Sequence, residues 1–361
     1  MPLNSYVTLG RSGLRVSPFC LGAMTFGEDW NWGATPEDSA KILGDYLERG
    51  GNFVDTANIY TKGHSEKIIG DFIVQDRARR ERMVLATKFC GNLYPGDPNG
   101  GGAGRKAILA QCEQSLRRLQ SDYIDLYWLH MNDRFTPIEE TLRGLDDLVA
   151  SGKVRYIGFS DTPSWRVAQA QTIAHFRGWT PLVSLQIEYS LLERTVEGEL
   201  IPMAQEMGLG VTPWGPLKGG ALSGKYTREN KGEMKADRGD HVTGSLTGQN
   251  YDLLDELQKI ARELSSTVPA VSLAWVHSRP GVTSTIIGAR TMKQLEQNLS
   301  ALDLPLSTDH IERLDKLSEP RLSFPAQFLK VGPSFSNAGA TVNGIESMLT
   351  PFAPKDLEDH Y

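Results

Sequence analysis

Apolar positions along this chain follow two alternating rhythms. Short runs rich in β-branched and aromatic residues near 18–22, 52–56, 83–88, 123–129, 154–159, 182–187, 209–212 and 284–287 have the length of buried strands. Between them the spacing changes to threes and fours. Ile108, Cys112, Ser115, Leu116 and Leu119 share one helical face, as do Ile138, Leu142, Leu145, Leu148 and Val149 before Gly152. The first helix is marked at both ends. Thr35 can cap it, Pro36 suits its first position, Glu37 and Asp38 acidify the first turn, and Gly50-Gly51 stop it. Ahead of the repeat, residues 6–16 alternate around Arg11-Ser12-Gly13 and predict a short hairpin.

Eight strands alternating with helices imply a parallel sheet with right-handed crossovers, and eight such units can close as a (β/α)8 TIM barrel. The competing doubly wound sheet would carry a GxGxxG turn after its first strand. The glycine-rich stretch from Gly96 to Gly104 has other spacing and follows the third strand. The expectation is therefore one α/β domain over residues 1–361. Its barrel core spans about 17–318, an N-terminal β-hairpin precedes it, and a long C-terminal tail, 319–361, lies over the active-site face. The polar segment 226–250 reads as a second long loop.

Composition narrows the function more than the fold. With 40% hydrophobic and 23% charged residues the chain is ordinary globular material. Its net charge of −6, without a long basic run, excludes an electrostatic footprint for nucleic acid or an anionic membrane. No signal peptide or membrane span is evident. Three separated cysteines, Cys20, Cys90 and Cys112, argue against a disulfide framework and fit a cytoplasmic location. Seven scattered histidines give no metal-ligand pattern, so no metal centre is expected.

Four residues then stand out at or just after predicted strand ends: Asp55, Tyr60, Lys88 and His130. Barrel enzymes keep their chemistry at that end, where strands distant in sequence converge. A tyrosine with a pKa near ~10 is a poor acid or base at neutral pH unless a cation stabilises its phenolate. Lys88 can supply that charge, Asp55 can hold the ammonium, and His130 can donate to a substrate oxygen.

At these residues the chain resembles the aldo-keto reductase family, in the branch of the aryl-alcohol dehydrogenases. The likeness rests on Asp55-Thr56-Ala57-Asn58-Ile59-Tyr60 with Ser65-Glu66, on Thr87-Lys88, Leu129-His130, Ile157 to Asp161, Gln186 to Ser190, Pro213 to Leu217, Gly219 to Lys225, and Ile287 to Arg290. The resemblance implies an oxidoreductase that moves a hydride between NADPH or NADP+ and a carbonyl or alcohol. Tyr60 would act as general acid or base, tuned by Lys88 and Asp55, with His130 orienting the substrate. It further implies that Ser160, Asp161 and Gln186 hold the carboxamide and that Trp214 stacks on the nicotinamide. Pro216, Leu217, Gly219 and Lys225 would wrap the pyrophosphate, and Gly288, Arg290, Gln294, Gln297 and Asn298 would take the adenosine end. A guanidinium at a helix start suits a 2′-phosphate and favours NADPH over NADH.

Phe26, Trp30 and Trp32 in the loop after the first barrel strand, with Phe324 and Phe328 in the tail, are the expected walls of a pocket for an aromatic or bulky small molecule. The alternative is a cofactor-binding regulatory subunit like the potassium-channel β subunits, which the family includes. The complete set of four chemical residues, and a hairpin that starts close to Met1, favour the enzyme. One departure yields a prediction. Many members carry Asn where this chain has Asp161, and an ionised carboxylate beside the ring favours the oxidised, positive cofactor. Asp161→Asn is expected to tighten NADPH relative to NADP+ in fluorescence titrations; equal changes in the two dissociation constants would refute it.

Overall fold

The computed structural model describes residues 1–230, 242, 244, 246–248, 250–354, 358 and 359. Its eight parallel strands are β3 (Phe19–Gly22), β4 (Phe53–Asp55), β5 (Val84–Phe89), β6 (Ile124–Leu129), β7 (Val154–Ser160), β8 (Leu182–Glu188), β9 (Gly210–Trp214) and β10 (Thr285–Gly288), all where the apolar runs predict them. They lie in the order β10-β3-β4-β5-β6-β7-β8-β9. Between β9 and β10 the ring closes through a parallel bridge of Val211 with Val282 and a hydrogen bond from Thr283 N to Val211 O at 2.8 Å. This is the (β/α)8 barrel, with helices crossing between successive strands.

The preceding hairpin, β1 (Val7–Thr8) and β2 (Arg15–Val16), pairs antiparallel and stoppers the lower end. Leu9 and Val16 join Cys20, Phe53, Ala86, Leu126, Trp128 and Ile286 in one interior cluster. A second, larger cluster fills the layer between strands and helices and holds Leu21, Val54, Leu85, Tyr127 and Ile157. The two clusters take alternate residues of each strand, as the two-residue pleat requires. Gly158 shows how tight the interior is: a Cβ there would stand 2.5 Å from the Trp128 ring, so the glycine is what admits the indole.

Helix α1 (Pro36–Glu48) begins as its sequence predicts, with the Thr35 side chain accepting from Asp38 N and Gly50 at φ 90° past its end. Two expectations change. The tail is not a plain loop, because α12 (Ala326–Leu329) and α13 (Gly332–Ser336) form short helical turns in it. Of the 226–250 segment, most lies outside the described residues. No helix among the described residues is long and apolar enough to cross a membrane.

A half-buried histidine links this packing to pH. His277, at the end of helix α9 (Val268–His277), packs edge-on to Phe19 and meets Thr285 Oγ1 at 3.3 Å. Burial pushes its pKa down to about 4. The folded state holds this ring neutral while the unfolded chain protonates it. Stability from this site is therefore complete above pH ~6.5 and falls as the pH drops toward 4. His277→Asn is expected to flatten the stability slope in that window by on the order of 3 kcal/mol, measured by urea unfolding from pH 4 to 7.5.

Candidate active site

The inward-facing residues change character toward the carboxyl ends of the strands. Below sit Phe53, Ala86, Leu126 and Trp128; the next inward positions are Asp55, Lys88, His130, Ser160, Gln186 and Trp214. Period two thus carries one row from core to chemistry. The ladder continues past the strands to fix these positions: Asn58 N donates to Lys88 O (3.1 Å), His130 N to Phe89 O (3.2 Å) and Asp161 N to Gln186 O (3.2 Å).

Lys88 is the hub. Its ammonium, wholly buried, donates to Asp55 Oδ2, to Thr56 O at 2.9 Å and to Tyr60 Oη at 3.0 Å. Burial alone disfavours that charge, but Asp55 and Tyr60 together outweigh it and hold the Lys88 pKa above its ordinary value. Burial also raises the Asp55 carboxyl, with Lys88 pulling the other way. Asp55 Oδ1 accepts from Gln186 Nε2 at 3.1 Å, so the predicted carboxamide-holding side chain touches the ion pair directly.

Tyr60 arrives from a strained turn. Thr61 and Lys62 take φ of 45° and 59°, the left-handed region that costs non-glycine residues of order 1 kcal/mol each. Thr61 Oγ1 holds the turn by donating to Phe26 O (2.9 Å) and accepting from Ser65 N (2.9 Å). Against the expectation from charge alone, burial outweighs Lys88 and the Tyr60 pKa moves up. The hydroxyl is a proton donor poised on a cation rather than a standing phenolate. His130 stands edge-on to Tyr60 with ring centroids 5.7 Å apart. Burial, followed by the Lys88 charge, pushes its pKa down to about 3, so the ring is neutral at physiological pH with one N–H to give.

The predicted cofactor residues line the same end. Trp214 Nε1 donates to Asp161 Oδ1 at 3.0 Å, and Asp161 sits at φ 41°, a conformation Asp and Asn tolerate best. Ser160 Oγ is buried without a partner at hydrogen-bonding geometry among the described residues, though the Asp161 carboxyl lies within its electrostatic reach. After Trp214 the strap through Pro216, Leu217, Gly219 and Lys225 turns on left-handed Gly215, Lys218 and Gly219. Lys218 ties it to Glu188 at 2.8 Å. Glu188 lies in the quoted segment Gln186 to Ser190 but received no role from sequence, although it is the next inward position after Ser184 and Gln186. Beyond the strap, a cavity of about 360 Å³ is bounded by Ser223, Gly224, Arg262, Thr267 and Gln297, and Ser223 Oγ is another buried hydroxyl with no partner among the described residues. Gln294 accepts from Arg290 N at 2.8 Å and Asn298 donates to Gly288 O at 3.0 Å, so these two shape the Gly288–Arg290 turn.

The expected pocket walls divide. Trp30 packs against Tyr60, centroids 6.4 Å apart, and Trp32 against Trp30 at 5.6 Å. Phe26 has no exposed surface and belongs to the core layer, because the bonds between Gly27 N and Ala34 O and between Ala34 N and Thr25 O fold the loop over it. Phe324 and Phe328 face each other and stay 82% and 59% exposed, while their neighbours Leu322 and Ala326 pack near Gly198.

A closed parallel barrel whose inward rows end in a buried Asp–Lys–Tyr cluster defines an enzyme-like site at the expected face. The chain belongs to the Aldo/keto reductase family, whose sequence model matches residues 18–319, and it is an oxidoreductase of that family. It is 41% identical over 322 residues to an uncharacterized oxidoreductase, YrpG, of Bacillus subtilis, covering 86% of this chain and 95% of that protein. It is 34% identical to an aryl-alcohol dehydrogenase of Pestalotiopsis microspora (89% and 84% covered) and 34% identical to a norsolorinic acid reductase of Aspergillus flavus (90% and 84%). The family generally uses nicotinamide cofactors.

The ion pair makes a stability prediction. Lys88→Met strands a buried carboxylate and is expected to cost about 3–5 kcal/mol in urea unfolding at pH 7. Adding Asp55→Leu to Lys88→Met should recover part of the loss; strict additivity of the two single changes would contradict the coupling.

Proposed function

We propose that this protein is an NADP(H)-dependent reductase or dehydrogenase acting on the carbonyl or alcohol of an aromatic or bulky small molecule. The observation that carries the reading is the three-way contact of Lys88 with Asp55, Thr56 and Tyr60 at the upper end of a sealed barrel. In support, the Ser160 and Ser223 hydroxyls, the Gln186 amide, the Trp214 ring and the cavity beside Gln297 offer a dinucleotide polar contacts along its length. Arg290 would meet a 2′-phosphate. When bound, the nicotinamide supplies or accepts the hydride, and the chain's own side chains manage the proton and the oxygen.

Tyr60 Oη, raised in pKa and resting on the Lys88 ammonium, gives its proton to the carbonyl oxygen as negative charge develops there. Lys88 then stabilises the phenolate left behind, and its lasting charge depends on Asp55. His130, neutral and edge-on to Tyr60, donates to the same oxygen and selects the orientation in which the carbonyl carbon faces the nicotinamide. Trp30 and Trp32 bound the space above Tyr60 and suit a flat ring. Aryl-alcohol dehydrogenase and norsolorinic acid reductase, the names of two relatives, point to the same substrate class.

The test is turnover of a panel of aromatic and aliphatic aldehydes and alcohols with NADPH and NADH, wild type beside Tyr60→Phe. The expected result is a preference for NADP(H) and a loss of about 10²–10⁴-fold in kcat on removing the hydroxyl. Reduction should stay level from neutral pH to pH 8, because Tyr60 remains protonated, whereas alcohol oxidation should climb with pH. No inflection near 6.5 is expected from His130. Nucleotide binding without any turnover would instead favour a regulatory role.

A further inference from the structure

Among the described residues, the loop that carries Trp30 and the turn that carries Tyr60 are fastened together by three polar side-chain contacts. Ser65 Oγ donates to Ala23 O at 2.7 Å, Thr61 Oγ1 donates to Phe26 O at 2.9 Å, and His64 Nδ1 meets Asp29 Oδ2 at 2.9 Å. The first two lie at the root of the loop and are buried. The third lies at its tip, one residue from Trp30, and is partly open to solvent. The tip itself is a tight turn, closed by Asn31 N to Glu28 O at 2.9 Å with Asn31 at φ 61°. A turn of this kind fixes its own shape but not its angle to the barrel. The His64–Asp29 pair and the ring contact of Trp30 with Tyr60 both bear on that angle.

We propose that His64 is a positioning residue for substrate selection: through Asp29 it holds Trp30 edge-on over Tyr60, and so fixes the width of the slot that admits an aromatic substrate. The proposal rests on the reductase reading for its substrate, but the latch is a property of the chain alone. His64 opens helix α2 (His64–Ile73), directly after the strained turn at Thr61 and Lys62. One short segment therefore carries the proton-donating hydroxyl and the anchor of the opposite wall. The distance between wall and hydroxyl is set within five residues of chain rather than across the barrel. A planar ring in that slot would touch Trp30 on one side while its carbonyl reaches Tyr60 and His130; a small aliphatic aldehyde would reach the same hydroxyl without using the wall.

Two measurements test this with His64→Ala, Asp29→Ala and the pair-preserving His64→Arg. The first compares benzaldehyde with propanal. Loss of the latch is expected to lower the benzaldehyde-to-propanal ratio of kcat/KM by about fivefold, the scale of one aromatic ring contact, through KM rather than kcat, and His64→Arg should restore most of it. The second needs no turnover. Iodide quenching of tryptophan fluorescence should increase in His64→Ala, and the increase should disappear when Trp30→Phe is also present. If the ratio and the quenching both match wild type in His64→Ala, the latch is refuted. If quenching changes as expected while the wild type turns over neither aldehyde, the latch stands and the proposed function falls.

Discussion

Everything at this site depends on keeping an ammonium charged where there is no water. A lysine buried alone would give up its proton. Lys88 keeps it because Asp55, on the neighbouring strand, and the Thr56 carbonyl surround the charge with acceptors. The barrel makes this arrangement rigid. β4 and β5 lie side by side with Asp55 opposite Ala86, so Lys88, the next inward residue of β5, stands one pleat further on and its long side chain reaches back to the carboxylate. Tyr60 is then brought back over the pair by a backbone turn that would be unfavourable anywhere else, and hydroxyl contacts from Thr61 and Ser65 hold that turn in place.

Much of this was legible in the chain because it depends on periods. Eight apolar runs of strand length, separated by helical spacing, specify the barrel, and reading each run in steps of two leads from Phe53 to Asp55 and from Ala86 to Lys88. The Thr35-Pro36 start was equally plain, since a cap is local chemistry. What sequence reasoning did not supply depends on quantities that no period encodes. Phe26 and Trp30 lie four residues apart in one loop, yet one is buried in the core and the other borders Tyr60; backbone hydrogen bonds around Gly27 and Ala34 decide which. The direction of the Tyr60 pKa follows from the balance of burial against one charge, and a sequence names the charge but not the burial. Asp29 and His64 are 35 positions apart and carry no shared motif.

The electrostatic consequence is a division of labour between two neighbouring titratable groups. His130, depressed by burial and by the neighbouring ammonium, is removed from proton exchange and left as a neutral donor. Tyr60, raised by burial, keeps its proton until a partner oxygen demands it. The same surroundings thus push the two groups apart, each toward the state in which it can donate a hydrogen bond.

The hairpin below gives the barrel a direction. With Leu9 and Val16 filling the lower opening, the barrel is a cul-de-sac. Among the described residues, the end that carries Trp30 and the strap after Trp214 is the one that the hairpin leaves unfilled. Two short strands that never touch the chemistry thus decide which end of the barrel faces it.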